Sequence, residues 1–81
     1  MEYDKDKVDE MVLALLYLSM FTDDYGTRAW KSFDWDTMNR LYTKGFIGNP
    51  KSKTKSVIVT EEGAKKAEEL FWRIFGFEEL S

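Results

Sequence analysis

The chain of 81 residues contains no cysteine and no histidine. That double absence excludes a disulfide framework, a thiolate nucleophile, most structural zinc sites and every histidine-based triad. It also removes the one side chain that ordinarily titrates near neutral pH. Proline occurs once, and the five glycines are scattered at element boundaries, so there is no glycine-rich loop to cradle a phosphate. No apolar run approaches membrane-spanning length, and the N-terminal MEYDKDKVDE lacks a basic region leading into an apolar segment. These features predict a cytoplasmic protein with no membrane partner.

Chemistry at paired carboxylates is excluded on position. Asp34-Trp35-Asp36-Thr37 has the two aspartates of a phosphotransfer site but opens a helix, whereas that chemistry needs a loop after a buried parallel strand. Asp23/Asp24 and Glu61/Glu62 lack the spacing of a calcium loop. No catalytic, cofactor-binding or metal-ligating residue is left, and a protein that is not an enzyme is expected.

What the sequence has in abundance is aromatic side chains: six Phe, three Trp and four Tyr. A single domain of this length has a small core, so some of these rings are expected on a surface that another molecule covers. The net charge of −3 conceals a strong asymmetry. Residues 1–27 carry two basic and seven acidic groups, residues 28–56 seven basic and two acidic, and residues 57–81 three and six. A basic island between acidic ends can hold an anionic partner on one face, and it can equally serve to solvate a loop.

The pattern along the chain predicts an α+β fold, mostly helical, in one domain over residues 1–81. Lys5 to Met20 has no Gly or Pro and reads as a helix. Val8, Met11, Val12, Leu15 and Leu18 form one apolar stripe, and Leu13, Tyr17 and Met20 lie nearly opposite. A helix apolar on two sides needs cover on both. One side can face the core, which leaves the other for the last helix or for a second subunit, and a wholly internal helix wrapped by the chain's own C-terminus is the alternative. Asp23, Asp24 and Gly26 suggest a turn, after which Thr27 can cap a short helix through Lys31 with Trp30 and Phe33 inward. Asp34 caps the next helix, which Lys44 and Gly45 terminate. Phe46 and Ile47 and then Ser56 to Thr60 read as a strand pair around a polar loop, and Thr60 caps a closing helix from Glu61 to Phe75, ended by Gly76. Helix, short helix, helix, two-stranded β-hairpin wing and C-terminal helix is the order of a winged helix.

Two groups of residues carry the functional expectation. In the loop from Pro50 to Ser56, an extended chain would project Lys51, Lys53 and Lys55 together at intervals of about 6.7 Å, suited to a line of phosphates. On the helix that Asp34 caps, Asn39 and Arg40 can address base edges, and Thr43 and Lys44 backbone oxygens. Asp36 on the same face repels phosphate. Trp72 sits among Lys65, Glu69 and Arg73 on the wet side of the closing helix, and Phe77 follows beyond it. With Leu13, Tyr17 and Met20 they form the expected interface.

The run Leu41-Tyr42-Thr43-Lys44-Gly45-Phe46-Ile47, followed by Lys55-Ser56-Val57-Ile58-Val59-Thr60-Glu61-Glu62-Gly63, resembles the helix-wing-helix segment of multiple-antibiotic-resistance-type regulators. The resemblance covers about 30 residues. It implies a winged helix with Asn39, Arg40, Thr43 and Lys44 toward the groove, Lys51, Lys53 and Lys55 on the wing, and dimerisation through the terminal helices. This chain is much shorter and has lysines where the regulators have an arginine-rich wing tip. A fuller pattern, Trp30-Lys31-x-Phe33-Asp34-Trp35 with Lys44-Gly45, Pro50, Lys53, Lys55-Ser56-Val57 and Thr60-Glu61-Glu62-Gly63, resembles a small bacterial family of uncharacterised proteins. Two functions are therefore expected. The first is a homodimeric regulator or accessory factor that binds duplex DNA; the second is an interaction module that holds a protein partner on the same frame.

Overall fold

The computed structural model describes residues 2–24 and 26–77. They form an α+β domain, about half helical, with three helices and a three-stranded antiparallel sheet. Helix α1 spans Lys5–Ser19 and is capped by Asp4, whose carboxylate accepts the Lys7 N–H at 3.1 Å. Helix α2, Trp35–Thr43, starts at Asp34, which accepts both the N–H and the hydroxyl of Thr37. It ends where the sequence places the stop. Gly45 has φ +84°, and the Phe46 and Gly45 N–H groups donate back to the carbonyls of Leu41 and Tyr42, which satisfies the last turn. Helix α3 spans Glu61–Phe75 with Thr60 as its cap, the range read from the sequence.

The predicted short helix after Thr27 is a strand. Strands β1 (Phe21–Asp23) and β2 (Gly26–Trp30) form a hairpin, with Gly26 at φ +123° in the tight connection. Five residues cannot meet the cost of nucleating a helix on their own signal. A long-range partner decides the matter. Strand β3, Ser56–Ile58, pairs with β2 in the register Arg28↔Ile58, Ala29↔Val57 and Trp30↔Ser56. This register turns Ala29 and Val57 into the core, 0% and 1% exposed, and puts Phe21, Arg28, Trp30 and Ile58 on the outer face. Trp30, expected inward, is half exposed.

The expected wing hairpin is correspondingly slight. Ile47 and Val59 make an isolated bridge, supported by the Gly48 N–H on the Ile58 carbonyl at 2.7 Å. The other edge of β3 pairs with β2. Residues 50–55 form a compact succession of turns and bends in place of an extended run.

Helix α1 draws its buried side from both stripes, with Val12 of the first and Leu13 of the second in the core and Val8, Tyr17 and Met20 packed against it. Leu13, Leu16 and Ala14 are buried with Val12, while Met11, Leu15 and Leu18 face outward. Leu13, read as an interface residue, is 1% exposed and belongs to the core. With apolar residues on two sides, the sequence of α1 does not choose between them. Packing against α3 and α2 does, and it also buries Asp9.

The first turn of α3 meets the end of the α2 segment at short range. Thr60 donates its hydroxyl to the carbonyls of Gly45 and Phe46 and accepts the Gly63 N–H at 2.9 Å. A Cβ at Gly63 would overlap the Phe46 carbonyl. The Thr60-Glu61-Glu62-Gly63 step is thus a steric requirement of this junction.

Candidate nucleic-acid interface

The seven cations of the basic island divide into two groups. Arg40 and Lys44 turn toward α1. Arg40 Nε lies 2.8 and 3.0 Å from the two Asp9 carboxylate oxygens, and Lys44 Nζ lies 2.9 Å from Asp9 and 2.9 Å from Asp6. The Asp9 side chain is 2% exposed, so a charge buried there persists only because two cations and their hydrogen bonds compensate it. Donating to the Asp9 and Asp6 carboxylates holds the Lys44 ammonium above the usual lysine range, and Lys44 in turn holds the Asp6 carboxyl below the usual carboxylate range. The expectation that Arg40 and Lys44 project outward for groove contact is corrected: both are spent on joining α2 to α1. Asn39 and Thr43 remain exposed on α2, with the Thr43 hydroxyl donating to the Asn39 carbonyl. Asp36 and the capping Asp34 stand at the start of the same helix.

The remaining five cations gather around the loop. Arg28 lies across the outer sheet face, donating Nε to the Ser56 hydroxyl at 2.8 Å and Nη2 to the Ser56 carbonyl at 2.9 Å, with Thr54 Oγ1 at 3.4 Å. Lys31 donates its backbone N–H to the Lys55 carbonyl and its Nζ to the Ser52 carbonyl at 2.6 Å. These bonds fasten β2 to the loop that carries Lys51, Lys53 and Lys55, all three exposed. Lys51 Nζ stands 5.9 Å over the ring of Trp35, a cation–π distance. None of the five forms an ion pair with a carboxylate among the described residues.

Aromatic rings border this basic edge. Phe21 and Trp30 stack at 5.2 Å between centroids, and Trp30 and Trp35 are 50% and 49% exposed. A cleft of about 340 Å³ opens between Arg28, Ile58, Asn49, Ser52 and Thr54. Arg28, Lys31, Trp30 and Trp35 are not among the site residues predicted from the sequence. Their signal, two cations and two tryptophans within residues 28–35, becomes legible only once residues 26–30 are known to be a strand facing the loop.

Of the expected interface residues, the structure brings Tyr17 and Trp72 together and places Leu13 in the core. Tyr17 is half-buried, packing on Phe71 at 5.2 Å and Trp72 at 6.4 Å, and Met20 is half-buried against the core. Trp72 is 57% exposed and Phe77 99%. Met11, Leu15 and Leu18 on α1 and Phe75 on α3 add further exposed apolar surface. Among the described residues, no group of acidic side chains converges to hold a metal, and no helix is long and apolar enough to cross a membrane.

Fold and surface together define a small α+β domain with a basic, tryptophan-edged sheet and loop on one side and uncovered apolar helix surface elsewhere. The chain belongs to the family described as "Domain of unknown function (DUF6429)", whose model matches residues 4–77. It is 48% identical over 75 residues to "Uncharacterized protein y4hR" of Sinorhizobium fredii (strain NBRC 101917 / NGR234), a match that covers 93% of this chain and 97% of that protein. No solved structure matches the chain.

Proposed function

We propose that this protein binds DNA through the phosphate backbone, using the lysine loop as the wing of a winged-helix frame, and acts as a regulator or accessory factor. The observation that carries the reading is the gathering of Arg28, Lys31, Lys51, Lys53 and Lys55 at one edge with no carboxylate in ion-pair contact among the described residues. In a chain of net charge −3, such an edge is a local field and not a general excess of positive charge. Relative to the expectation from sequence, the contact moves from α2 to β2 and the loop, because Arg40 and Lys44 already have partners. A cytoplasmic location goes with this reading.

Salt dependence tests it. If the five cations each neutralise a phosphate, log affinity falls with log salt at a slope of about −4.5 on duplex DNA, and about −3.5 on a single strand. Fluorescence anisotropy with labelled mixed-sequence DNA, in both strand forms, is expected to show binding at micromolar protein in low salt. The Lys51→Ala/Lys53→Ala/Lys55→Ala variant should bind more weakly and with a shallower slope. Absence of binding to either form, or an unaltered slope in the triple variant, would refute the proposal.

A second reading rests on a separate observation. Met11, Leu15, Leu18, Trp72, Phe75 and Phe77 are all exposed on the terminal helices and the residue beyond them. That surface suits a second copy of the chain or another protein. A protein-interaction module becomes the better account if DNA affinity is absent and light scattering gives the mass of one chain.

A further inference from the structure

We infer that the strand form bound at this edge is single-stranded DNA, with Trp30 and Trp35 as stacking platforms for unpaired bases; the inference rests on the DNA-binding reading above. Three features of the surface lead to it. The first is the rings. Trp30 is 50% exposed on the outer sheet face and is braced from one side by Phe21 at 5.2 Å, while Trp35 is 49% exposed and sits beneath Lys51 Nζ at 5.9 Å. A base stacks on such a ring only when its own face is open, and duplex DNA keeps its base faces covered by neighbouring pairs.

The second feature is what α2 lacks. A helix that enters the major groove presents donors to base edges and cations to the flanking phosphates. Here the α2 cations are bound to Asp9 and Asp6, and the helix opens with Asp34 and Asp36. Insertion would bring two carboxylates against the phosphates with nothing to offset them.

The third is the arrangement of charge around the rings. Arg28 shares the outer face with Phe21, Trp30 and Ile58, and its guanidinium reaches the loop at Ser56 and Thr54. Lys31 follows Trp30 directly and is tied to Ser52. Each ring thus has cations beside it, Arg28 and Lys31 next to Trp30 and Lys51 over Trp35, the combination by which a single strand is held through its phosphates while its bases stack. The hydroxyls able to recognise a ribose 2′-OH, those of Ser52, Thr54 and Ser56, are already bonded to one another, to the Ser56 carbonyl or to Arg28. No free hydroxyl of this loop is therefore set aside for a ribose, and DNA, the nucleic acid of the reading above, is the occupant.

The test compares three labelled probes with the full chain in low salt: a mixed-sequence 12-nucleotide DNA strand, the same sequence as a blunt duplex, and the RNA strand of that sequence. Single-stranded DNA is expected to bind at least about tenfold more tightly than the duplex, and Trp30→Ala to lower single-strand affinity by about tenfold while leaving duplex affinity unchanged. Trp30→Phe, which keeps a ring, should retain most of the affinity; circular dichroism shows whether either variant is folded. Trp35→Ala supplies an independent loss at the other end of the site. Equal or tighter binding of the duplex, with both tryptophan variants unaffected, would overturn the single-strand inference while leaving the DNA-binding proposal in place. RNA bound tenfold more tightly than DNA would overturn the choice of occupant. Failure of all three probes to bind would remove the proposal on which the inference stands.

Discussion

Replacing Arg40 by methionine would strip the Asp9 carboxylate of its closest cation while leaving that side chain 2% exposed. Three of the four short contacts at Asp9 vanish: Arg40 Nε at 2.8 and 3.0 Å and Nη2 at 2.8 Å. Only Lys44 Nζ at 2.9 Å remains. Breaking a buried pair from one side costs about 3–5 kcal/mol, and the surviving lysine argues for the lower end, about 3 kcal/mol. A chain of this length is stabilised by roughly 4–12 kcal/mol in total, so the loss is a large fraction of the whole. With a urea dependence of about 1 kcal/mol per molar, the midpoint of unfolding should fall by about 3 M. The double variant Asp9→Leu/Arg40→Met should recover most of that shift, since replacing an entire buried pair by apolar groups is close to neutral. The recovery is a coupling energy, readable from the four-member cycle. Under conditions where it stays folded, Arg40→Met should bind DNA as the wild type does. A stability unchanged within about 0.5 kcal/mol, as for an ordinary surface substitution, together with lost DNA affinity, would mean that Arg40 faces outward and that the placement of α2 against α1 is wrong.

Two further outcomes concern the scaffold. Gly63→Ala should destabilise by about 1–3 kcal/mol in the same urea experiment, because the added methyl meets the Phe46 backbone and the α3 start must shift; an unchanged midpoint would show that the junction has slack. With no histidine, stability should be flat from about pH 6 to pH 9 and fall on both sides. On the acid side, Asp34 is held below the usual carboxylate range by hydrogen bonds from the Thr37 hydroxyl and N–H, and Asp6 by Lys44. Their contribution is present above about pH 4 and is lost as pH drops through their folded-state values, so Asp34→Ala should flatten the acid limb. On the alkaline side Lys44, raised by Asp9 and Asp6, contributes below about pH 10 and ceases to do so as pH climbs past its folded-state value. Thermal midpoints across pH measure both limbs.

The parts of this fold legible in the sequence are those governed by a few adjacent residues. Asp34, Thr60, Lys44-Gly45 and Gly76 mark helix ends because capping bonds and left-handed turns are satisfied within one turn of chain, and the limits of α2 and α3 follow directly. The lysine loop was equally legible, as composition, and all three of its lysines are exposed. The strand nature of Gly26–Trp30 was not, because only one side of its ladder is local, to Phe21–Asp23, and the other goes to residues 56–58, a partner that no local signal announces. Arg28, Lys31 and Trp30 stayed outside the predicted site for the same reason.

By itself, then, the amino-acid order determined where helices begin and end, that the middle third is cationic, and that histidine and cysteine chemistry is absent. The tertiary structure alone decided which cations are free. Arg40 and Lys44 look identical in kind to Lys51 and Lys53 until α1 brings Asp6 and Asp9 against α2, some thirty residues away in sequence. It also decided which side of α1 is buried, since two apolar stripes of similar strength can be told apart only by what packs on them. Local bonds are written in neighbouring residues, whereas the fate of a charge depends on who stands opposite it after folding.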